Sequence, residues 1–249
     1  MKKIIFTSLF ASLLLLGACQ EKEPTATPQP RSGTLNIKMN HQVNGKALVK
    51  DDFQYMTEAG DSFQVTLLQY YLSNFEFHSP ETGWQKKEHY QLVRADAAET
   101  FEFDIKELPF GNYDSVRFAL GIDSAANHDI SKLGQLDPGY GMIWTWNSGY
   151  IFYMFEGKFV DSLNRIVPFA YHIGGDNYLT WYSLPIQQIK GLTSSNATAS
   201  LSITLEMDEF FKSPNLIELN KVAKVSHTFD EPQLSQQLIQ NLNDAFTAE

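Results

Sequence analysis

Apolar and polar residues alternate along most of this sequence, and a period of two predicts extended strands with two different faces. In the first such run, Leu35, Ile37, Met39 and His41 would share one face. The same alternation recurs at residues 63–67, 75–77, 101–105, 116–122, 166–173 and 201–207. Many short strands separated by turn residues predict a mainly β fold, specifically an antiparallel β-sandwich.

Two segments depart from simple alternation. Residues 150–160 are apolar on both faces, which predicts a central strand covered on both sides. Near the C-terminus, apolar residues recur every four positions, which predicts a short helix with one apolar stripe. These positions are Leu234, Leu238, Leu242 and Phe246.

The segment Gly-Met-Ile-Trp-Thr-Trp-Asn-Ser-Gly-Tyr-Ile-Phe, residues 141–152, concentrates aromatic and glycine residues directly after an Asp-Pro-Gly turn signal. In an extended chain Trp144 and Trp146 are two positions apart, so both indoles would point to the same side. Such a face is either a heavy part of the core or the wall of a site. In the second case Met142, Trp144 and Trp146 would line it.

The N-terminus has the organisation of an exported lipoprotein. Residues 1–18 combine two lysines with an apolar stretch too short to span a membrane comfortably, and are interpreted as a signal peptide. Leu-Gly-Ala-Cys at 16–19 resembles the bacterial lipobox, in which cleavage precedes the cysteine and the thiol is lipidated. Cys19 is the only cysteine, so it is interpreted as the lipid anchor, and the mature chain can form no internal disulfide.

The mature chain divides into a tether and one domain. Residues 19–32 are rich in proline, threonine, glutamine and charge, which is typical of a disordered linker. Residues 33–249 contain no second linker and no internal repeat, and they are interpreted as a single β-sandwich domain. Without Lys2 and Lys3, 17 basic residues face 29 acidic ones, a balance that argues against nucleic acid and anionic lipid as partners.

Six histidines are the main candidates for metal chemistry, although no pair has the spacing of a helical metal motif. His41 continues the apolar face of the first strand, and His172 lies just before the glycine pair at 174–175. Each fits either a hydrogen-bonded core histidine or a ligand. Glu156 is a carboxylate within an apolar strand and therefore needs a partner; Arg117 and Lys158 are the candidates. No nucleophile elbow or phosphate-binding loop is present, so no enzymatic activity is expected.

Several segments together resemble the MbnP-like proteins, a family of envelope copper-binding proteins associated with methanobactin and copper handling. The resemblance covers residues 34–246. Its main motifs are at residues 121–124, 127, 134–138, 141–152, 156–157 and 171–175. Further matching segments lie closer to the N-terminus, at residues 41–45, 48, 60–63, 70–74 and 92–96. Near the C-terminus, His227 precedes a predicted helix containing Asn241, as in the family.

The resemblance implies a β-sandwich that binds one copper ion through histidines. His41 and His172 match family histidines, and His227 is a third candidate ligand. Trp144 or Trp146 would line the site. In characterised relatives a tryptophan at the copper site is oxidised to kynurenine by a dihaem enzyme, so the resemblance implies a dihaem peroxidase-like protein as a candidate partner. A TonB-dependent transporter is a second candidate partner.

We therefore expect a non-enzymatic copper-binding lipoprotein that captures, stores or hands on copper. Gln20 follows the anchor in place of the aspartate that favours inner-membrane retention, so the outer membrane is expected, facing the periplasm or the cell surface. Two alternatives remain open. One is a ligand-binding module of an outer-membrane uptake system, with the tryptophans stacking on a glycan or metal chelate; the other is a purely structural envelope protein.

Overall fold

The computed structural model describes residues 31–144 and 149–249. The signal peptide, Cys19, most of the tether and Trp146 lie outside these ranges. Thirteen strands are present in the described part: β1 Ser32–Val43, β2 Lys46–Ala47, β3 Tyr55–Met56, β4 Ser62–Ser79, β5 Gly83–Arg94, β6 Glu102–Pro109, β7 Gly111–Leu120, β8 Tyr153–Val160, β9 Ile166–Ile173, β10 Thr180–Leu192, β11 Thr198–Glu206, β12 Val225–His227 and β13 Phe246–Ala248. Two α-helices accompany them, α1 Ser124–Asn127 and α2 Pro232–Asn241.

The strands form two sheets that pack as a sandwich. The smaller sheet has the order β13-β11-β1-β2, with β6 also paired to β1. The larger sheet has the order β10-β7-β4-β8-β9-β12, with β3 and β5 also paired to β4. Most neighbours are antiparallel, but β1 with β11 and β9 with β12 run parallel. The mainly β sandwich with a short C-terminal helix, predicted from the sequence, is confirmed.

The centre of the larger sheet contains a split. Strand β5 pairs with residues 69–79 of β4 along one edge. Along the other edge β8 pairs with residues 63–70 and β7 with residues 72–78, so β7 and β8 lie end to end. The chain segment that joins them, residues 121–152, therefore leaves and re-enters the sheet at its middle.

The main core lies between the sheets and is unusually aromatic. It includes Phe75, Phe118, Tyr153 and Phe155, all fully buried. The predicted face of β1 is confirmed, since Leu35, Ile37 and Met39 belong to this core. Burial of so much aromatic surface is the dominant stabilising contribution, and its edge-to-face ring pairs fix how the sheets meet.

A second apolar cluster covers the outer face of the larger sheet. Residues 121–144 and 149–152 fold back over the sheet, so that Met142, Trp144, Tyr150 and Phe152 pack with Tyr71. Leu92, Ile122 and Met154 belong to the same cluster. The described residues of the aromatic segment, 141–144 and 149–152, thus belong to a small core outside the sandwich.

Several boundaries differ from the sequence expectations. Residues 63–67 and 75–77 belong to the single long strand β4. Strand β8 starts at Tyr153, because the preceding residues join the outer cluster. Helix α2 ends at Asn241, and Phe246 lies in β13 on the smaller sheet. Strand β5 was not predicted, since its first half is polar at most positions.

No helix in the described ranges is both long and apolar enough to cross a membrane.

Candidate metal site

Two histidines face each other on the outer side of the larger sheet. Strand β12 pairs in parallel with β9, and this register places His227 directly beside His172. Their ring centroids are 5.4 Å apart with an interplanar angle of 69°. The pair joins two residues that are distant in sequence, so it exists only because β12 adds to this edge.

Alternation along β9 explains why the pair faces outward. Tyr171 and Ile173 point into the main core, so His172 between them points to the other face. Glu156 on β8 lies on the same outer face, because Phe155 on β8 points inward. The strand period thus places a histidine and a carboxylate on one exposed surface.

Each histidine of the pair is hydrogen-bonded to a carboxylate. His172 Nε2 lies 2.8 Å from Glu156 Oε1, and His227 Nδ1 lies 2.8 Å from Asp230 Oδ2. A carboxylate on one ring nitrogen fixes the orientation of an imidazole and increases the basicity of the other nitrogen. Metal-binding histidines commonly have such partners.

The partner of Glu156 differs from the two that the sequence suggested. Arg117 pairs with Glu76 at 3.1 Å, and the bond of Glu156 is to His172. Asp230 was missed altogether. Its signal in the sequence is weak, because an aspartate three residues after His227 also fits an ordinary turn.

The electrostatics of His172 favour the neutral ring. Burial lowers the pKa of His172 below its ordinary value, and the neighbouring His227 acts in the same direction, although Glu156 opposes both. A neutral imidazole has a lone pair available for a metal ion, whereas a protonated one does not.

Trp144 borders the pair. Its ring centroid lies 5.9 Å from that of His227 and 5.7 Å from that of Phe229. Both Trp144 and Met142 are buried in the outer cluster, but only Trp144 reaches the histidine pair, and Met142 does not line the cavity beside it. Trp144 is thus part of the outer apolar cluster and also borders the histidine pair.

A cavity of about 380 Å³ opens next to Trp144, between the segment that begins after β7 and the segment that begins after β9. Its lining combines three aromatic side chains with two amides, an imidazole and a carboxylate: Trp144, Tyr178, Phe229, Asn127, Asn177, His128 and Asp176. Asp176 accepts hydrogen bonds from Ser124 and Asn127 and contacts His128 Nε2 at 3.1 Å. These bonds tie the two segments together and shape the cavity.

His41 lies in a different place. Its Nε2 is 2.9 Å from the hydroxyl of Tyr70, a residue of the main core, and its ring packs 4.9 Å from Phe101. Burial lowers the pKa of His41 to about 4. The ring lies between the sheets and His172 lies on the far face of the larger sheet, so the structure does not bring the two together.

The other three histidines have contacts of their own, and His128 is the one that lies at the cavity, beside Asp176. Nδ1 of His78, on β4, lies 2.7 Å from Oδ1 of Asp114, on β7, and the ring of His89 stacks on that of Phe103. Within residues 31–144 and 149–249, no three His, Cys, Asp or Glu side chains form a group that could hold a metal ion.

Two packed sheets with a carboxylate-supported histidine pair on an outer face define a β-sandwich protein with a candidate metal site. The chain belongs to the MbnP family, whose model matches residues 32–228. In solved structures, it is similar to MbnP from Methylosinus trichosporium, with a TM-score of 0.54 and 11% sequence identity. The similarity covers 86% of this chain and 97% of that one, and it shows a common fold. Comparison with curated proteins gives no match.

Proposed function

We propose that this chain is a non-enzymatic copper-binding protein of the cell envelope, and that His172 and His227 bind the ion. The in-register pairing of these two residues on β9 and β12 is the observation that carries the proposal. Membership of the MbnP family, which is associated with methanobactin and copper, supports copper over other metals.

The donor chemistry fits copper. Imidazole nitrogen is a good ligand for copper in either oxidation state, and affinity of nitrogen sites for divalent metals is highest for Cu²⁺ in the first-row series. His172 would coordinate through Nδ1, since Glu156 contacts Nε2. Glu156 and Asp230 hold the two rings and supply negative charge close to the cation.

Anchoring through lipidated Cys19 to the outer membrane is part of the same proposal. The described chain enters the domain at β1 of the smaller sheet. The histidine pair lies on the outer face of the larger sheet, away from that entry. A short tether would therefore leave the pair accessible to copper or to a protein that delivers or receives it.

The direct test is copper titration of the full chain purified in detergent, with Cys19→Ser in every variant so that no thiol competes. We expect one ion per wild-type chain and loss of that binding in His172→Ala and His227→Ala. His78→Ala is the matched control, because His78 is also bonded to a carboxylate but lies elsewhere on the sheet. His41→Ala is expected to keep one ion. Equal binding by all four variants would contradict the proposal.

A second candidate function is favoured by the cavity beside Trp144. Three aromatic side chains next to an amide and a carboxylate could hold a glycan or a metal chelate by stacking and hydrogen bonds. Quenching of tryptophan fluorescence separates the two functions. Quenching by copper but not by oligosaccharides supports an ion-binding protein. Quenching by oligosaccharides but not by copper supports a ligand-binding module of an uptake system.

A further inference from the structure

A methionine completes a row with the two histidines. The antiparallel register of β8 and β9 places Met154 directly opposite His172, and the parallel register of β9 and β12 places His227 on the other side. Met154, His172 and His227 are therefore cross-strand neighbours on three adjacent strands. Such neighbours have Cβ atoms about 4.5–5.5 Å apart in an antiparallel pair.

Two independent observations put the Met154 side chain on the histidine face. Glu156, two residues further along β8, contacts His172 on the outer face, and residues two apart on a strand share a face. Met154 also packs in the outer apolar cluster with Trp144, whose ring borders His227. The side chain is 9% exposed, so it lies at the edge of that cluster.

We propose that Met154 is the third ligand of the copper ion and that it makes the site prefer Cu(I). This inference rests on the proposed function. A thioether is a soft donor that selects Cu(I), whereas Cu(II) is served by nitrogen and oxygen donors. The sulfur would join the two imidazoles as a donor from β8, the strand that pairs with the strand of His172.

A second buried methionine provides an internal comparison. Met142 belongs to the same outer cluster and is also buried, but it lies outside the strands and outside the row. Both methionines fill apolar volume, so Leu can replace either with little loss of stability. Only at position 154 would replacement by Leu also remove a sulfur that binds the ion.

The experiment compares Met154→Leu with Met142→Leu in the full chain, again with Cys19→Ser so that no cysteine sulfur can bind the ion. For Met154→Leu we expect the Cu(I) dissociation constant to rise about tenfold with Cu(II) binding nearly unchanged, which lowers the Cu(II)/Cu(I) potential by about 59 mV. Met142→Leu should leave both affinities and the potential at wild-type values. X-ray absorption of the Cu(I)-loaded wild type should show one copper–sulfur distance that is missing in Met154→Leu.

The outcomes separate this inference from the proposed function. Copper binding that requires His172 and His227, with no sulfur scattering and no effect of Met154→Leu, would overturn the role of Met154 and leave the histidine site intact. Equal losses of Cu(I) and Cu(II) affinity would also overturn it, because they would indicate a packing effect. A wild-type chain that binds no copper would overturn both.

Discussion

His172 and His227 occupy paired positions on two parallel strands, and their rings approach to 5.4 Å between centroids. The relationship depends on a three-residue strand, β12, at the edge of the larger sheet. A small edge strand thus sets the separation of the two side chains. Any ion held between them would in turn hold β12 on the sheet.

The carboxylate of Glu156 should matter to binding even where it does not touch the ion. Glu156→Gln keeps an amide in reach of His172 but removes the charge. We expect copper affinity to fall about 10- to 100-fold, because the carboxylate orients the ring and increases its basicity. Competition titration against a copper chelator measures the change. Glu76→Gln, which loses the partner of Arg117 on the same sheet, should bind like wild type; equal effects of the two changes would argue against a role for Glu156.

Gly174 should tolerate no side chain. An added Cβ would lie 2.3 Å from the carbonyl oxygen of Tyr150, and the amide of Gly174 donates to Thr228 Oγ1. We expect Gly174→Ala to reduce the free energy of unfolding by about 1–3 kcal/mol through overpacking. Denaturant unfolding checks this. Gly139→Ala is the control, because a Cβ there meets mainly the side chain of Asp137 and should change stability little.

His41 should make stability fall in mild acid. Its pKa is lowered to about 4 by burial, against 6.5 for the ordinary side chain. Between these values the unfolded chain binds more protons, so stability is lost as pH falls from 6.5 to 4. The loss should approach about 3 kcal/mol. His41→Gln removes this titration and can still reach Tyr70.

The measurement is urea unfolding of wild type and His41→Gln at intervals from pH 8 to pH 4. The difference in stability between the two should be constant from pH 8 to pH 7. Below pH 7 the wild type should lose stability relative to His41→Gln as pH falls. Parallel curves over the whole range would contradict a buried neutral histidine.

Glu206 should have the opposite effect on the pH dependence. Burial, together with the neighbouring Asp208, raises the pKa of Glu206 to about 7, so the folded chain holds an extra proton between about pH 4.5 and pH 7. Stability from this group is present in acid and is lost as pH rises through 7. Glu206→Gln mimics the protonated form and can keep the acceptor for Gly45 N.

We therefore expect Glu206→Gln to match wild type near pH 5 and to be more stable at pH 8. Thermal unfolding at the two pH values provides the comparison. Glu102→Gln is a suitable control, because Glu102 is exposed and pairs only loosely with Lys38 at 3.6 Å. A wild-type chain more stable than Glu206→Gln at pH 8 would contradict the expectation.

Much of the fold could be predicted from the sequence. The faces of β1 and β9 follow from a period of two, and the C-terminal helix follows from a period near four. The predicted start of the strand within residues 150–160 was less accurate, since β8 begins at Tyr153. Apolar residues there serve two different cores, and composition does not distinguish them.

The site was predictable only in part. His172 and His227 were both candidate ligands, and the ring of Trp144, a candidate lining residue, lies 5.9 Å from that of His227. His41 looked equivalent to His172, because each lies on a strand among apolar residues. The structure separates them, since His41 packs against Tyr70 in the core and His172 faces outward.

The sequence by itself determined the class of fold, the faces of the strands and which residue types were available to bind a metal. These are local properties, because the direction of a side chain on a strand depends only on its neighbours along the chain. Only the tertiary structure decided that Met154, His172 and His227 lie in one row and that Glu156 supports His172. Strand order and register join residues far apart in sequence, and they result from the packing of the whole sandwich.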